Sequence, residues 1–352
     1  MGKRRRTPLW ARLCVIAGSV LMLLSATTVT GEVVLADRVN GAVHQQDLLG
    51  DGGDGGTKHG SDIKGPIDML LTGSDLRSSW KQSGEKPRTD TIMWLHIPTS
   101  MDRAYLLSIP RDLIINIPVS KHSGGGGETA KINGSFSDGM TSVNDVAGGM
   151  QLLTKAVEQV TGAKFTMAAL VNWDGFKAIV AELGGVELCV DKGFTTDQIG
   201  KTYTFKAGCR NYDADDALAL VRMRYNYADS DYGRQRMQQQ FIKQILKKAT
   251  SAGVVTNPAK LNRVISAAGG ALTTDLNGYK PVDLALALQR ITPDSIVGLQ
   301  VPHYSIGSGD AYQGEGLTLP LADQEFKALR DDNVDSFIIK HPDLVSHGDG
   351  TG

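Results

Sequence analysis

The sequence predicts an α/β fold, a sheet covered by helices on both faces. Three observations carry that expectation. Short apolar runs bounded by Gly, Pro or Ser alternate with longer segments whose apolar residues recur at helical spacing. The chain has 352 residues, enough for one large domain or two small ones, and no internal repeat marks a second. Arg and Asp gather at the ends of several apolar runs, where open α/β sheets bind ligands.

The N-terminus comes first. Lys3, Arg4, Arg5, Arg6 and Arg12 precede a mostly apolar run over 13–29, close to the roughly 20 residues that cross a bilayer. This pattern reads as a single-pass signal anchor with its basic end in the cytoplasm and the body outside the cell membrane. The competing reading is a cleaved signal peptide, with its apolar region over 13–24 and a weak small-residue site near Ala36. The length of the run and the lack of a clean A-x-A site favour the anchor. The expected organisation is a basic tail over 1–8, a transmembrane helix over 9–31, a stalk over 32–65, an extracellular domain over 66–340 and a disordered tail over 341–352. The stalk expectation rests on the polar, Gly-rich stretch over 51–56.

Within the body, 67–71 (Ile-Asp-Met-Leu-Leu) ends in Thr-Gly-Ser and predicts a buried strand followed by a loop. Strands over 91–97 and 104–109 are expected to pair as a hairpin. Four consecutive glycines within 120–128 predict a mobile loop. Leu152, Leu153, Ala156, Val157 and Val160 predict a helix over 148–160, followed by a strand over 165–171. The next helix is expected over 174–183, with Asp174 as its N-cap and Gly184-Gly185 at its end. A strand over 186–190 and an Ala- and Leu-rich helix over 213–221 follow. The clearest helix covers 233–249, with Met237, Phe241, Ile242, Ile245, Leu246 and Ala249 as its apolar stripe. A helix over 281–289, a strand over 295–301 and a helix over 321–329 complete the body.

Net charge is −1, so no global field draws the protein to nucleic acid. No phosphate-loop motif, nucleophile elbow or zinc-spaced histidine set is present. Cys14 falls in the anchor, while Cys189 and Cys209 fall in the exported body. An oxidising compartment predicts one disulfide between the latter two; two unrelated buried thiols are the alternative.

Two arginine–carboxylate clusters carry the chemistry. The first contains Asp75 and Arg77, then Arg88 and Asp90, then Arg111 and Asp112. The second contains Arg222 and Arg224, then Asp231, Arg234 and Gln238. Guanidinium groups pair bidentately with phosphate oxygens, and carboxylates hold a hard cation between them. Arg234 and Gln238 continue the stripe of Phe241 and Ile245, so they face inward. A semi-buried Arg needs a partner: either Asp231 or a bound anion, with the anion favoured. Lys131 reads either as a phosphate ligand or as a surface lysine.

The ordered series Leu-Leu-Thr-Gly-Ser-Asp-x-Arg, Arg-Thr-Asp-Thr, Ser-Ile-Pro-Arg-Asp, Lys-Ile-Asn, Gly-Gly-Val, Ala-Leu-x-x-Val-Arg-x-Arg and Asp-x-Gly-Arg resembles the LytR–CpsA–Psr family over about 67–249 and onward to about 330. The resemblance implies an α-β-α sandwich around a central mixed sheet. It implies a phosphotransferase that moves a phospho-glycopolymer from a polyprenyl-pyrophosphate carrier to peptidoglycan, using Mg2+, with Mn2+ as a substitute. The implied partners are the polyprenyl-pyrophosphate-linked glycan, the peptidoglycan acceptor and the membrane. By match, Asp75 and Asp90 hold the metal. Asp75, Asp90, Arg88 and Arg111 form the catalytic set. Arg77, Lys131, Arg222, Arg224, Asp231, Arg234 and Gln238 hold the substrate, and the general base stays open between Asp90 and Asp112. Many family members carry an Arg where this chain has Met237, with Arg236 one place earlier. A polyprenyl-pyrophosphate hydrolase and a non-catalytic carrier-lipid-binding or regulatory protein are the alternative readings.

Overall fold

The computed structural model describes residues 44–50, 63–75, 84–198, 200–223, 231–251 and 257–346. The expected anchor and much of the expected stalk lie outside these residues. No helix among the described residues is long and apolar enough to cross a membrane.

The strands in chain order are β1 (His44–Gln45), β2 (Ile67–Ser74), β3 (Thr89–Ile97), β4 (Ala104–Ser108), β5 (Ile114–Asn116), β6 (Thr129–Lys131), β7 (Met167–Asn172), β8 (Val186–Val190), β9 (Phe194–Gln198), β10 (Lys201–Phe205), β11 (Gly208–Tyr212), β12 (Leu272–Asp275), β13 (Ile296–Gln300), β14 (His303–Ile306), β15 (Gly314–Leu317) and β16 (Val345–Ser346). The helices are α1 (Gly134–Gly139), α2 (Val146–Thr161), α3 (Trp173–Glu182), α4 (Ala214–Arg222), α5 (Asp231–Ser251), α6 (Pro258–Ala268), α7 (Pro281–Ala287), α8 (Leu321–Arg330) and α9 (Val334–Lys340). Among the described residues one sheet has eight strands, in the order β1-β12-β7-β2-β3-β4-β13-β16. It is mixed: β2 runs antiparallel to β3 and parallel to β7, and β4 runs antiparallel to β3 and parallel to β13.

Both faces of this sheet are buried, as the near-continuous apolar strands require. Successive side chains point to opposite faces. Leu70, Ile92, Trp94, Tyr105 and Leu107 pack on one side with Met150, Leu153 and Val157 of α2 and with Phe326 and Leu329 of α8. Met69, Met93, Leu106 and Ile296 pack on the other with Leu284 of α7 and with Ile242 and Leu246 of α5. A third apolar cluster lies beside the sheet. It joins β8, β10, β11, α3 and α4 to Met237, Phe241 and Ile245 of α5. Helix α5 therefore packs on two cores at once.

Three consecutive glutamines fasten it there. Gln238 donates to the Val221 carbonyl of α4 at 3.2 Å. Gln239 Nε2 lies 3.1 Å from the Leu106 carbonyl, 2.7 Å from the Leu299 carbonyl and 2.8 Å from Ser108 Oγ. Gln240 Oε1 accepts from the Cys189 amide at 2.8 Å. Cys189 and Cys209 face one another across the β8–β11 pair and are joined by a disulfide.

Several local expectations are corrected. Helix α3 is capped by Asn172, whose side chain accepts from the Gly175 amide; Asp174 lies in the first turn. Part of the expected stalk belongs to the body: β1 pairs with β12, and Leu48 and Leu49 are buried in the main core. The four-glycine loop, expected to be mobile, is laced by hydrogen bonds. Ser120 N–H donates to the Gly125 carbonyl at 2.8 Å, and Gly127 N–H to the Ile117 carbonyl at 2.9 Å. A Cβ on Gly125 would collide with the Asp138 carbonyl, so glycine here serves close approach. The chain after 341 is not frayed throughout, because β16 adds an edge strand to β13. These pieces escaped the sequence reading because each is too short to show a period.

One buried ionic group ties the sheet to the C-terminal helices. His96 is 1% exposed. Its Nδ1 lies 2.8 Å from Asp68 Oδ1, and its Nε2 lies 3.1 Å from Asp332 Oδ1. Burial disfavours the imidazolium, but the hydrogen bonds and charges of both carboxylates outweigh it and raise the pKa above the ordinary 6.5. A raised pKa gives stability that is complete below the unfolded value and is lost as pH rises through the folded one. His96→Gln should therefore cost about 2 kcal/mol near pH 5.5 and much less near pH 9. Denaturant titrations of both proteins at the two pH values check this, and an equal loss at both would count against a charged His96.

Candidate functional site

Three strand ends meet at one edge of the sheet. Strand β2 finishes at Ser74, whose register partner Thr89 opens β3. Asp75 and Asp90 therefore follow from adjacent positions on neighbouring strands. The Arg88 amide donates to Asp75 Oδ1 at 3.0 Å. Strand β4 ends at Ser108, and the chain then passes through Pro110 to Arg111 and Asp112. Arg111 Nη1 pairs directly with Asp90 Oδ1. Its Nε lies 3.8 Å from Asp112 Oδ1, and Lys131 Nζ lies 3.6 Å from that same oxygen.

The second cluster arrives from α4 and α5. Asp213 caps α4 by accepting from two amides, and the helix runs to Arg222 itself. The Arg222 guanidinium comes to rest 3.7 Å from the centre of the Trp173 ring. That cation–π contact helps to orient it. Arg234 is 3% exposed. It pairs with Asp231, which also accepts from Gln235 Nε2 at 2.9 Å. The protein thus supplies a carboxylate partner for Arg234, while the side chain also lines a cavity.

That cavity has a volume of about 390 Å³. Asp90, Arg111, Arg222, Arg234 and Gln238 line it together with apolar residues of β2, β7, α3, α4 and α5. Among these, Phe176 and Phe241 stack with ring centres 4.2 Å apart. The geometry is an apolar groove with guanidinium groups on its wall. Such a space suits a ligand with a hydrocarbon part and an anionic part.

The structure brings Asp90, Arg111, Arg222, Arg234 and Gln238 to one cavity. Asp75, Arg88, Asp112, Lys131 and Asp231 stand behind or beside it rather than in its lining. The Arg88 side chain is exposed, and it is the Arg88 backbone amide that meets Asp75. Arg77 and Arg224 lie outside the described residues. Met237 is buried among α4 and β8 side chains, so the position where many family members carry Arg is apolar packing here, and Arg236 does not line the cavity. The sequence reading missed Asn172 and Trp173. They sit at the end of β7 and the start of α3, a strand end like the ones that singled out Asp75 and Arg111.

The Asp231–Arg234 pair generates a prediction. Breaking a buried ion pair leaves one charge uncompensated. Arg234→Gln should lower the ligand-free stability by about 3 kcal/mol, and adding Asp231→Asn should recover much of that loss. Chemical denaturation of the single and double variants measures both effects; an unchanged single variant would remove the pair from the structural framework.

Comparison with known proteins gives a consistent picture. The model of the LytR_cpsA_psr family matches residues 36–327. The chain is 30% identical over 291 residues to the cell wall biosynthesis protein LcpA of Corynebacterium glutamicum, a match covering 74% of this chain and 54% of LcpA. It thus spans about half the length of that relative. It is 28% identical over 280 residues to the polyisoprenyl-teichoic acid–peptidoglycan teichoic acid transferase TagU of Oceanobacillus iheyensis, covering 78% of this chain and 79% of TagU. The crystal structure of TagV from Bacillus subtilis superposes with a TM-score of 0.59 at 21% identity, covering 77% of this chain and 98% of TagV; this shows the shared fold. With the family model matched over most of its length, the chain belongs to the LytR–CpsA–Psr family.

Proposed function

We propose that this protein is a phosphotransferase that moves a phospho-glycopolymer from a polyprenyl-pyrophosphate carrier to peptidoglycan. One observation carries the reading: the cavity joins an apolar wall to three arginines at a single edge of the sheet. A polyprenyl pyrophosphate has the same division between hydrocarbon and anion. The family and the name of TagU support the same class of reaction.

In this reading Phe176, Ile179, Phe241, Ile242 and Ile245 hold the hydrocarbon chain. Arg111, Arg222 and Arg234 face the phosphates and stabilise charge as it develops. A sugar hydroxyl of the acceptor attacks the glycan-side phosphorus in line, and the polyprenyl phosphate leaves. Phosphoryl transfer needs mainly positioning and cationic stabilisation, which this arrangement provides.

The donor set also fits a divalent cation. Asp75 and Asp90 are hard oxygen ligands on adjacent strand ends, and the buried Thr89 Oγ1 between those ends has no hydrogen-bond partner. No group of three His, Cys, Asp or Glu arranged to hold a metal ion is found among the described residues. The remaining ligands would then be phosphate and water oxygens, the usual preference of Mg2+. Asp75 and Asp90 would hold the ion, which would neutralise phosphate charge. The protein would act outside the cell membrane, with 9–31 as its anchor.

The full chain in detergent, supplied with a polyprenyl-pyrophosphoryl glycan and Mg2+, should form a glycan–peptidoglycan product only when a peptidoglycan oligomer is added. Asp75→Ala or Asp90→Ala should reduce that product by about a hundredfold or more. Release of free glycan phosphate at the same rate with and without acceptor would instead identify a hydrolase.

A further inference from the structure

A smaller sheet stands beside the cationic edge. Strands β14 and β15 pair antiparallel, and so do β5 and β6. Leu113 and Glu315 join the two pairs through a parallel bridge, and the Glu315 amide donates to the Asp112 carbonyl at 2.9 Å. The order across this sheet is therefore β14-β15-β5-β6. One face is buried: Leu113 and Ile115 belong to the main core, and Ala130 and Leu317 pack against it. Alternation puts the neighbours of these residues on the outer face.

One row of that outer face crosses all four strands. Tyr304 pairs with Gly316, Gly316 stands level with Ile114, and Ile114 pairs with Lys131. With neighbouring strands about 4.8 Å apart, the row spans about 14 Å. Tyr304 is 56% exposed. Its ring nevertheless lies down on the sheet, because a Cβ on Gly316 would stand 2.6 Å from its Cζ. A Cβ on Gly314 would likewise stand 2.7 Å from Ile114 Cδ1. The two glycines of β15 thus let an aromatic ring and an aliphatic side chain lie flat over it from either side.

Polar groups border this apolar strip. Asn116 and Thr129, the next pair along β5 and β6, are exposed. The Thr129 hydroxyl donates to Asn116 Oδ1, and the Nδ2 protons of Asn116 meet no acceptor among the described residues. Past Lys131 the strip runs toward the proposed reaction site. The Tyr312 ring stands 5.0 Å from Lys131 Nζ, and its hydroxyl lies 3.4 Å from Asp112 Oδ2. Asp112 adjoins Arg111, which lines the cavity.

The chemistry of the face selects its occupant. A sugar ring has an apolar C–H face and a polar rim, which matches a flat tyrosine with amide and hydroxyl groups beside it. One ring and one isoleucine are too small to form the core of a stable protein interface, which buries roughly 800 Å² on each partner. We propose that the outer face of this sheet binds the acceptor glycan strand, with Tyr304 as the platform on which a sugar ring stacks. The inference rests on the phosphotransferase reading and gives the second substrate its place: a strand lying here approaches the cavity from the side of Arg111.

Coupling kinetics of the full chain in detergent test this, at saturating donor and with a soluble peptidoglycan oligomer as acceptor. Tyr304→Ala should raise the acceptor KM about tenfold, with kcat near that of the unsubstituted protein. Tyr304→Phe keeps the ring and should stay within about twofold. Asn116→Ala should raise KM about fivefold, a second reading if Tyr304→Ala folds poorly. Affinity for inorganic pyrophosphate with Mg2+ should be unchanged in these variants, because neither residue lines the cavity. Calorimetric binding of the oligomer without donor should weaken by the same factors as KM rises. An unchanged KM in Tyr304→Ala and Asn116→Ala, an equal loss in Tyr304→Phe and Tyr304→Ala, or a fall in kcat at constant KM would each overturn the proposal. If the unsubstituted protein forms no coupled product, the phosphotransferase reading fails, and the oligomer-binding measurement alone decides whether this face holds a glycan.

Discussion

The hydrogen bonding of the α5 amides is the constraint on which the rest of the site depends. A buried amide without partners is costly, so each of these side chains must meet its acceptor or donor. Gln238, Gln239 and Gln240 are adjacent in sequence, yet they reach α4, the central sheet and β8 in turn. Three directions of attachment fix both the rotation and the height of the helix. Gly298 makes room for the middle one, since a Cβ there would collide with Gln239 Oε1. The aim of Arg234, one turn earlier on the same helix, follows from that fastening.

The cavity cations are held before any ligand is present. Arg111 stands against Asp90, Arg234 against Asp231 and Arg222 against Trp173. Each contact reduces the side-chain freedom that binding would otherwise have to remove. The carboxylates also moderate the repulsion among arginines that share one space. The cost is that an anion entering this cavity would have to compete with partners already in place.

The disulfide and the apolar side cluster belong to the same design. Cys189 and Cys209 clamp the two strands from which the β9–β10 hairpin projects. Cys189 also supplies the amide that binds Gln240. The clamp thus lies one hydrogen bond away from the helix that carries Arg234. A covalent tie at the edge of a small two-stranded sheet compensates for the limited core such a sheet can build alone.

By itself, the sequence determined the elements with a clear period and the groups at their ends. The stripe of Phe241 and Ile245 located α5 and turned Arg234 inward. The short apolar runs located β2, β3 and β4, and their ends identified Asp75, Asp90 and Arg111. These are local signals, readable within a few turns or one strand. The glutamines of α5 were less legible, because an amide looks the same in a solvated face as in a buried one. Tertiary structure alone decided which distant groups meet: Asp332 with His96, Leu48 and Leu49 with the main core, and Tyr312 with Asp112. It also showed that Arg234 has a carboxylate partner within the protein. The reason is physical. Periodicity encodes which face of an element is buried, whereas the partners across a buried interface depend on how separate elements pack, and that information is spread over the whole chain.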